Sequence, residues 1–336
     1  MTNRERVLAA LHHEQPDRTP YAIGFTQKAF AATVAYYGGE GFLRDIDNCF
    51  CDMRANPGPK DMWLDENTWQ DEFGVRWDRS IDRDIGNVCN QVLHEPDLDL
   101  IEFPDANDPA KFAGLEDACR RGAEQGKALQ FCIGFSLFER AWTLRGMEAL
   151  MMDMIERPDF VHALLDAICD YNVALVERAL AYPIDAVHFG DDWGSQRALL
   201  ISPEMWRTFL KPRLARQYST GKDAGKLVTI HSCGRVQELF PDLIEIGLDG
   251  FNPFQPEVMD VFELKRQYRG KLAFWGGVST QHLLPRATPH EVKAQARRLM
   301  REVGDGGGYI IAPAHAIPGD AKPENILALI EAVNDP

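Results

Sequence analysis

Four short runs between residues 184 and 277 decide how this chain folds: IDAVHFG (184–190), KLVTIH (226–231), DGFNP (249–253) and KLAFWGG (271–277). Apolar residues at helical spacing fill residues 203–225 and 236–246 between them. Short strands alternating with helices of ten or more residues make βα units, and these demand a parallel sheet. Working outward, LQFCIG (129–134) and GYIIA (308–312) add a strand on each side. TPYAIGF (19–25), after the Pro16-Asp17 turn, and the weaker DNCFCD (47–52) bring the count to eight. Helical spacing continues over 147–181, 323–333 and 290–303, the last opened by Thr288 as N-cap and Pro289 in the first turn. Eight such units favour an α/β fold of the single (β/α)8 TIM-barrel type over an open doubly wound sheet. Residues 53–104, rich in Trp, Asp and Gly, read as a small insertion after the second strand. It is expected to form a hairpin lid on one domain spanning 1–336. Gly306-Gly307-Gly308 precedes a strand and opens no helix, so it reads as a turn without a nucleotide role.

Composition narrows the function. The 336 residues carry 36 Lys+Arg against 51 Asp+Glu, a formal charge of −15, and no basic run. That balance disfavours nucleic acid and anionic membrane surfaces, because both reward a cationic face. No stretch approaches the ~20 apolar residues of a membrane span. The N-terminus turns polar too soon for a signal peptide, so a cytoplasmic location is expected. Seven scattered cysteines read as reduced thiols, six of them packing residues.

Chemistry in a parallel barrel gathers where strands end. His231-Ser232-Cys233-Gly234 directly follows a strand. His and Cys two apart point the same way, which suits zinc. The same pair also reads as a hydrogen-bonded His beside an inert thiol. His315 lies just past the last strand, and with His231 and Cys233 it would make a three-ligand site with one open position. Gln255, past the strand that follows, offers a weak fourth ligand, a partner behind the ligands or a surface turn. Asp191 and Asp192 are the acid/base candidates, the alternative being an Asp that caps the next helix. Trp193 and Trp275 are candidate walls, and His188, Gln196 and Asn252 are candidate substrate contacts.

These residues lie in a pattern that resembles the uroporphyrinogen decarboxylase superfamily. NRERVLAALHHEQPDRTPY (3–21), GDDWGSQRALLISPEMWRTFLKPRL (190–214), HSCGRV (231–236), IGLDGFNPFQP (246–256), LAFWGGVSTQ (272–281) and residues 306–333 carry the likeness, which is weakest over 53–128. The resemblance implies a (β/α)8 barrel and one of two chemistries. The metal-free decarboxylases bind a multiply carboxylated tetrapyrrole with a segment like RQAGR. Here residues 24–30 read GFTQKAF, with no arginine, although Arg140 and Arg145 leave some cationic character after the third strand. The corrinoid-linked methyltransferases resemble the zinc site of cobalamin-independent methionine synthase, with HxC and a later Cys in a context like APGCGI. His231 and Cys233 match the HxC, and His315 stands in place of the later Cys.

The resemblance therefore implies a zinc-dependent methyltransferase. Its ligands would be His231, Cys233 and His315, with Gln255 weak. Its partners would be a small-molecule methyl donor or acceptor and a corrinoid on a separate carrier protein, since the chain lacks a DxHxxG motif. A shell with fewer thiolates suits an oxygen-bound methyl group. A homodimer is the expectation by analogy. The alternatives are a tetrapyrrole decarboxylase and a non-catalytic ligand-binding barrel.

Overall fold

The computed structural model describes residues 1–58 and 60–335. Its eleven strands are β1 (Phe50–Met53), β2 (Met62–Trp63), β3 (Thr68–Gln70), β4 (Arg76–Asp78), β5 (Asn87–Val88), β6 (Ala128–Ile133), β7 (Ala186–Gly190), β8 (Leu227–His231), β9 (Gly250–Phe254), β10 (Ala273–Val278) and β11 (Tyr309–Pro313). Seven of them form one parallel sheet in the order β1-β6-β7-β8-β9-β10-β11. Every residue of β6, β9 and β11 is buried, as expected for strands covered on both faces. Continuous apolar runs rather than alternation were therefore the readable signal.

The sheet is curled. The first residues of β1, β6, β7, β8 and β10 and the second of β11 meet in one apolar cluster with Val7, Ala10 and Leu11. Those three lie on the helix Asn3–Leu11, which starts with a capping box between Thr2 and Glu5. This helix plugs the end where the strands begin and leaves the end where they finish for chemistry. The outer helices follow the same logic. Pro289–Glu302 starts with a Thr288–Glu291 capping box and buries Val292, Ala296, Leu299 and Met300 on one stripe.

Two expectations need correction and one gains detail. Residues 19–25 form isolated parallel bridges, Tyr21 to Ile311 and Phe25 to Ile317, rather than a full strand. Pro20 has no N–H to donate, and the Asn48 side chain takes both backbone groups of Ile23, at 2.8 and 2.9 Å. Residues 147–181 make two helices, Met147–Glu156 and Pro158–Ala179, because Pro158 can start a helix but not continue one. The excursion contains a four-stranded antiparallel sheet, β2-β3-β4-β5, not a single hairpin. No helix among the described residues is long and apolar enough to cross a membrane.

Candidate metal centre

His231 ends β8, directly beside Asn252 of β9. Its Nδ1 lies 2.6 Å from Asn252 Oδ1. The amide nitrogen of Asn252 donates to the Trp275 carbonyl at 2.9 Å, which fixes oxygen as the end facing the imidazole. His231 must then carry its proton on Nδ1, leaving the Nε2 lone pair free. Two residues on, Cys233 Sγ lies 3.3 Å from that Nε2. His315 follows β11 in an exposed turn, its ring centroid 5.6 Å from that of His231. One ligand atom from each of the three falls within 4.8 Å of the others. Tetrahedral zinc with ordinary bond lengths sets N and S about 3.5 Å apart, so the donor set fits that ion.

Backbone crossing makes the arrangement possible. Gly234 adopts φ +86°, and a Cβ there would lie 2.4 Å from the Gly194 carbonyl carbon. Only glycine lets the loop after β8 pass so close to the loop after β7. Arg235 N donates to Ser195 O at 2.8 Å, and Trp193 N donates to Ser232 Oγ at 3.2 Å. Gln255 offers its amide oxygen to Gly234 N at 3.3 Å, so its contact is with the loop behind Cys233.

The two acids diverge. Asp191 is fully buried and accepts from Leu137 N, Phe138 N, Glu139 N and the Trp193 indole at 2.6 to 3.2 Å. It caps the helix Phe138–Arg145, which has no side-chain cap of its own. Asp192 turns the other way and accepts from Cys233 N at 2.7 Å. Burial and then the Asp192 charge push the Cys233 thiol up, so an uncompensated thiolate is unfavourable there and a bound cation would be needed to form one. Glu139 was not singled out in the sequence. Burial first, then Asp192 and Asp191, raise its carboxyl well above the usual carboxylate range. The only hint in the sequence was an acid on the apolar segment after the third predicted strand.

Other candidates scatter. Trp193 is fully buried edge-on against Trp206, beneath the loop. Gln196 lies exposed at the rim, accepting from Gln281. Trp275 stacks on Phe50 at 4.5 Å and tilts against His188 at 5.3 Å. Arg140 and Arg145 supply no free cation: they pair with Asp71 at 2.6 Å and Asp153 at 2.7 Å. Four cysteines are buried, but Cys89 is exposed beside the small sheet, so the packing role expected of six thiols fails for one.

His188 Nδ1 shares a 2.8 Å hydrogen bond with Thr229 Oγ1. Burial, then the nearby His231 and Arg54, lowers its pKa from 6.5 to about 3. The unfolded chain binds this proton below about pH 6.5 while the folded chain does not. Stability should therefore fall as pH drops from about 6.5 toward 3, by about 1.4 kcal/mol per unit from this group. Thermal unfolding between pH 7.5 and 5 should show that loss in the wild type and a shallower slope in His188→Gln. Identical slopes would contradict it.

Comparison with known proteins bears on this centre. The family model described as uroporphyrinogen decarboxylase (URO-D) matches residues 77–336. A uroporphyrinogen decarboxylase of Alcanivorax borkumensis is 23% identical over 359 positions, covering 98% of this chain and 96% of that one. A methylated-thiol–coenzyme M methyltransferase of Methanosarcina mazei is 25% identical over 201 positions, covering 59% of this chain and 51% of that one. Among solved structures, a methyltransferase from Methanosarcina mazei superposes with a TM-score of 0.74 at 19% identity, covering 100% of this chain and 99% of that one.

Proposed function

Because the chain belongs to the uroporphyrinogen decarboxylase family, whose members include decarboxylases and a methyltransferase, we propose that it is a zinc-dependent methyltransferase. It would be a single domain, a closed (β/α)8 barrel whose 53–104 insertion lies over the mouth. The observation that carries this reading is the donor set His231, Cys233 and His315, with the His231 tautomer fixed by Asn252.

His231 Nε2, Cys233 Sγ and a ring nitrogen of His315 would hold the ion. When bound, zinc supplies Lewis-acid activation of a methyl donor or of an acceptor thiol. Asn252 keeps the imidazole turned toward the ion. Asp192 holds the backbone of Cys233 in place. Glu139, whose carboxyl is pushed toward its protonated form by burial and the neighbouring acids, would be the proton donor to a departing oxygen. The methyl group would pass to or from a corrinoid on a separate carrier protein docked over the strand C-termini. The tetrapyrrole decarboxylase reading draws support from the names of several relatives. Against it stand the missing arginines at 24–30 and the pairing of Arg140 and Arg145.

Protein purified without chelator or nickel resin should contain close to one equivalent of zinc by elemental analysis. His315→Cys should retain the metal but make it less electrophilic, lowering the rate with an oxygen-bound methyl donor by about 10-fold. Less than a tenth of an equivalent of zinc in the wild type sinks the reading. Unchanged metal affinity and substrate preference in His315→Cys would remove His315 from the ligand set.

A further inference from the structure

A second hollow adjoins the barrel mouth and is not explained by the metal ligands. It measures about 350 Å3 and lies between the antiparallel sheet, the end of β6 and the helix Pro158–Ala179. None of His231, Cys233 or His315 lines it. Two edge-to-face aromatic pairs do: Trp77 with Phe135 at 5.0 Å, and Phe73 with Tyr171 at 5.1 Å. Phe135 holds φ +50°, a left-handed conformation that bulky residues rarely adopt. Strain of this kind gathers at binding sites.

The charges around the hollow are mostly spoken for. Arg140 pairs with Asp71 at 2.6 Å. Arg79 lies over the Trp69 ring at 4.7 Å and donates to the Ile85 carbonyl. Glu72 is held by Lys111 and by the Tyr171 hydroxyl. Asp84 accepts from Gln27 N, and Asp61 from Gly58 N. Arg54 is different. It follows β1 directly, lines the hollow, and makes no hydrogen bond or ion pair among the described residues. Its charge is also felt by Asp52, His188 and His231.

We propose that this hollow binds a small aromatic carboxylic acid, its ring among Trp77, Phe135 and Phe73 and its carboxylate on Arg54. Aromatic walls favour a planar ring, and an unpaired guanidinium favours a carboxylate, which it grips through two parallel hydrogen bonds. A cavity of this size takes one ring with small substituents. That the acid is also the methyl-bearing substrate rests on the methyltransferase reading; that it binds does not.

The test is titration of the full chain with 4-methoxybenzoate and its neutral isostere 4-methoxybenzamide, followed by calorimetry and tryptophan fluorescence. The acid should bind about 30-fold more tightly than the amide. Arg54→Gln should abolish that preference, and Arg54→Lys should retain part of it. Equal binding of acid and amide overturns the proposal. So does a preference that survives in Arg54→Gln, or tighter binding of 4-methoxybenzylamine. The double variant Cys233→Ala/His315→Ala separates the two claims, because it should bind the acid as the wild type does. Acid binding in a protein that carries no zinc would uphold the hollow and remove the methyltransferase reading.

Discussion

Cys233→Ala should leave a folded protein with less than a tenth of an equivalent of zinc and methyl transfer lowered by about 1,000-fold or more. On the proposed ligand set, the Cys233 thiolate would be the one soft, negatively charged donor, and two neutral imidazoles would compensate a dication poorly. The fold should survive, because the loop is anchored on both sides of Cys233. Ser232 N reaches Asn252 O, and Arg235 N reaches Ser195 O. Cys132→Ala is the matched control. That thiol is fully buried on β6, and burial raises its pKa strongly. Its loss should cost packing stability and no metal. Zinc content near one equivalent in Cys233→Ala would show that the cysteine is not a ligand.

The second large effect is on stability. Asp191→Ala removes one carboxylate that accepts four N–H groups, three of them at the start of a helix whose own N-cap residue is Leu137. Those donors lie in the interior and would be left without partners. The cost should be about 3 kcal/mol or more, above an ordinary capping loss, because the bonds are charge-assisted and water cannot replace them. Calorimetry should show a drop in Tm of roughly 4 °C or more. The drop should appear equally in zinc-loaded and zinc-free protein, which separates a structural role from a chemical one. Asp192→Ala, by contrast, removes a single backbone contact to Cys233 and should act mainly on activity.

Most of the parallel sheet was legible because strands buried on both faces, such as β6 and β11, read as short, mainly apolar runs. β1 was the weakest signal, since Cys51 is half-buried and Asp52 exposed. The eighth run was legible as apolar but not as a bridged segment, since Pro20 and the Asn48 side chain act through partners that a linear pattern does not show. His231, Cys233 and His315 were legible as a candidate cluster because each lies at or just past the end of a strand. Adjacent acids cannot be told apart in the same way. Asp191 and Asp192 differ only in which way the chain turns after Gly190, and that turn sends one carboxylate under a helix and the other to the cysteine loop. Glu139 and Arg54 draw their meaning from loops that meet only in the folded chain.

The segment around Pro20–Phe25 is the seam of the molecule. It joins β11 through Ala22 N to Ile311 O and Ile311 N to Pro20 O, and reaches β1's side through Cys49 N to Tyr21 O. Thr26 Oγ1 and the Ile317 carbonyl, 291 positions apart, meet here too. Closing so long a loop carries a large entropic cost, so this contact should form after the local βα units have assembled. Without it the curled sheet would have a gap, with β1 and β11 both presenting raw edges. The side-chain amide of Asn48, imitating a strand's backbone at that gap, acts as the clasp.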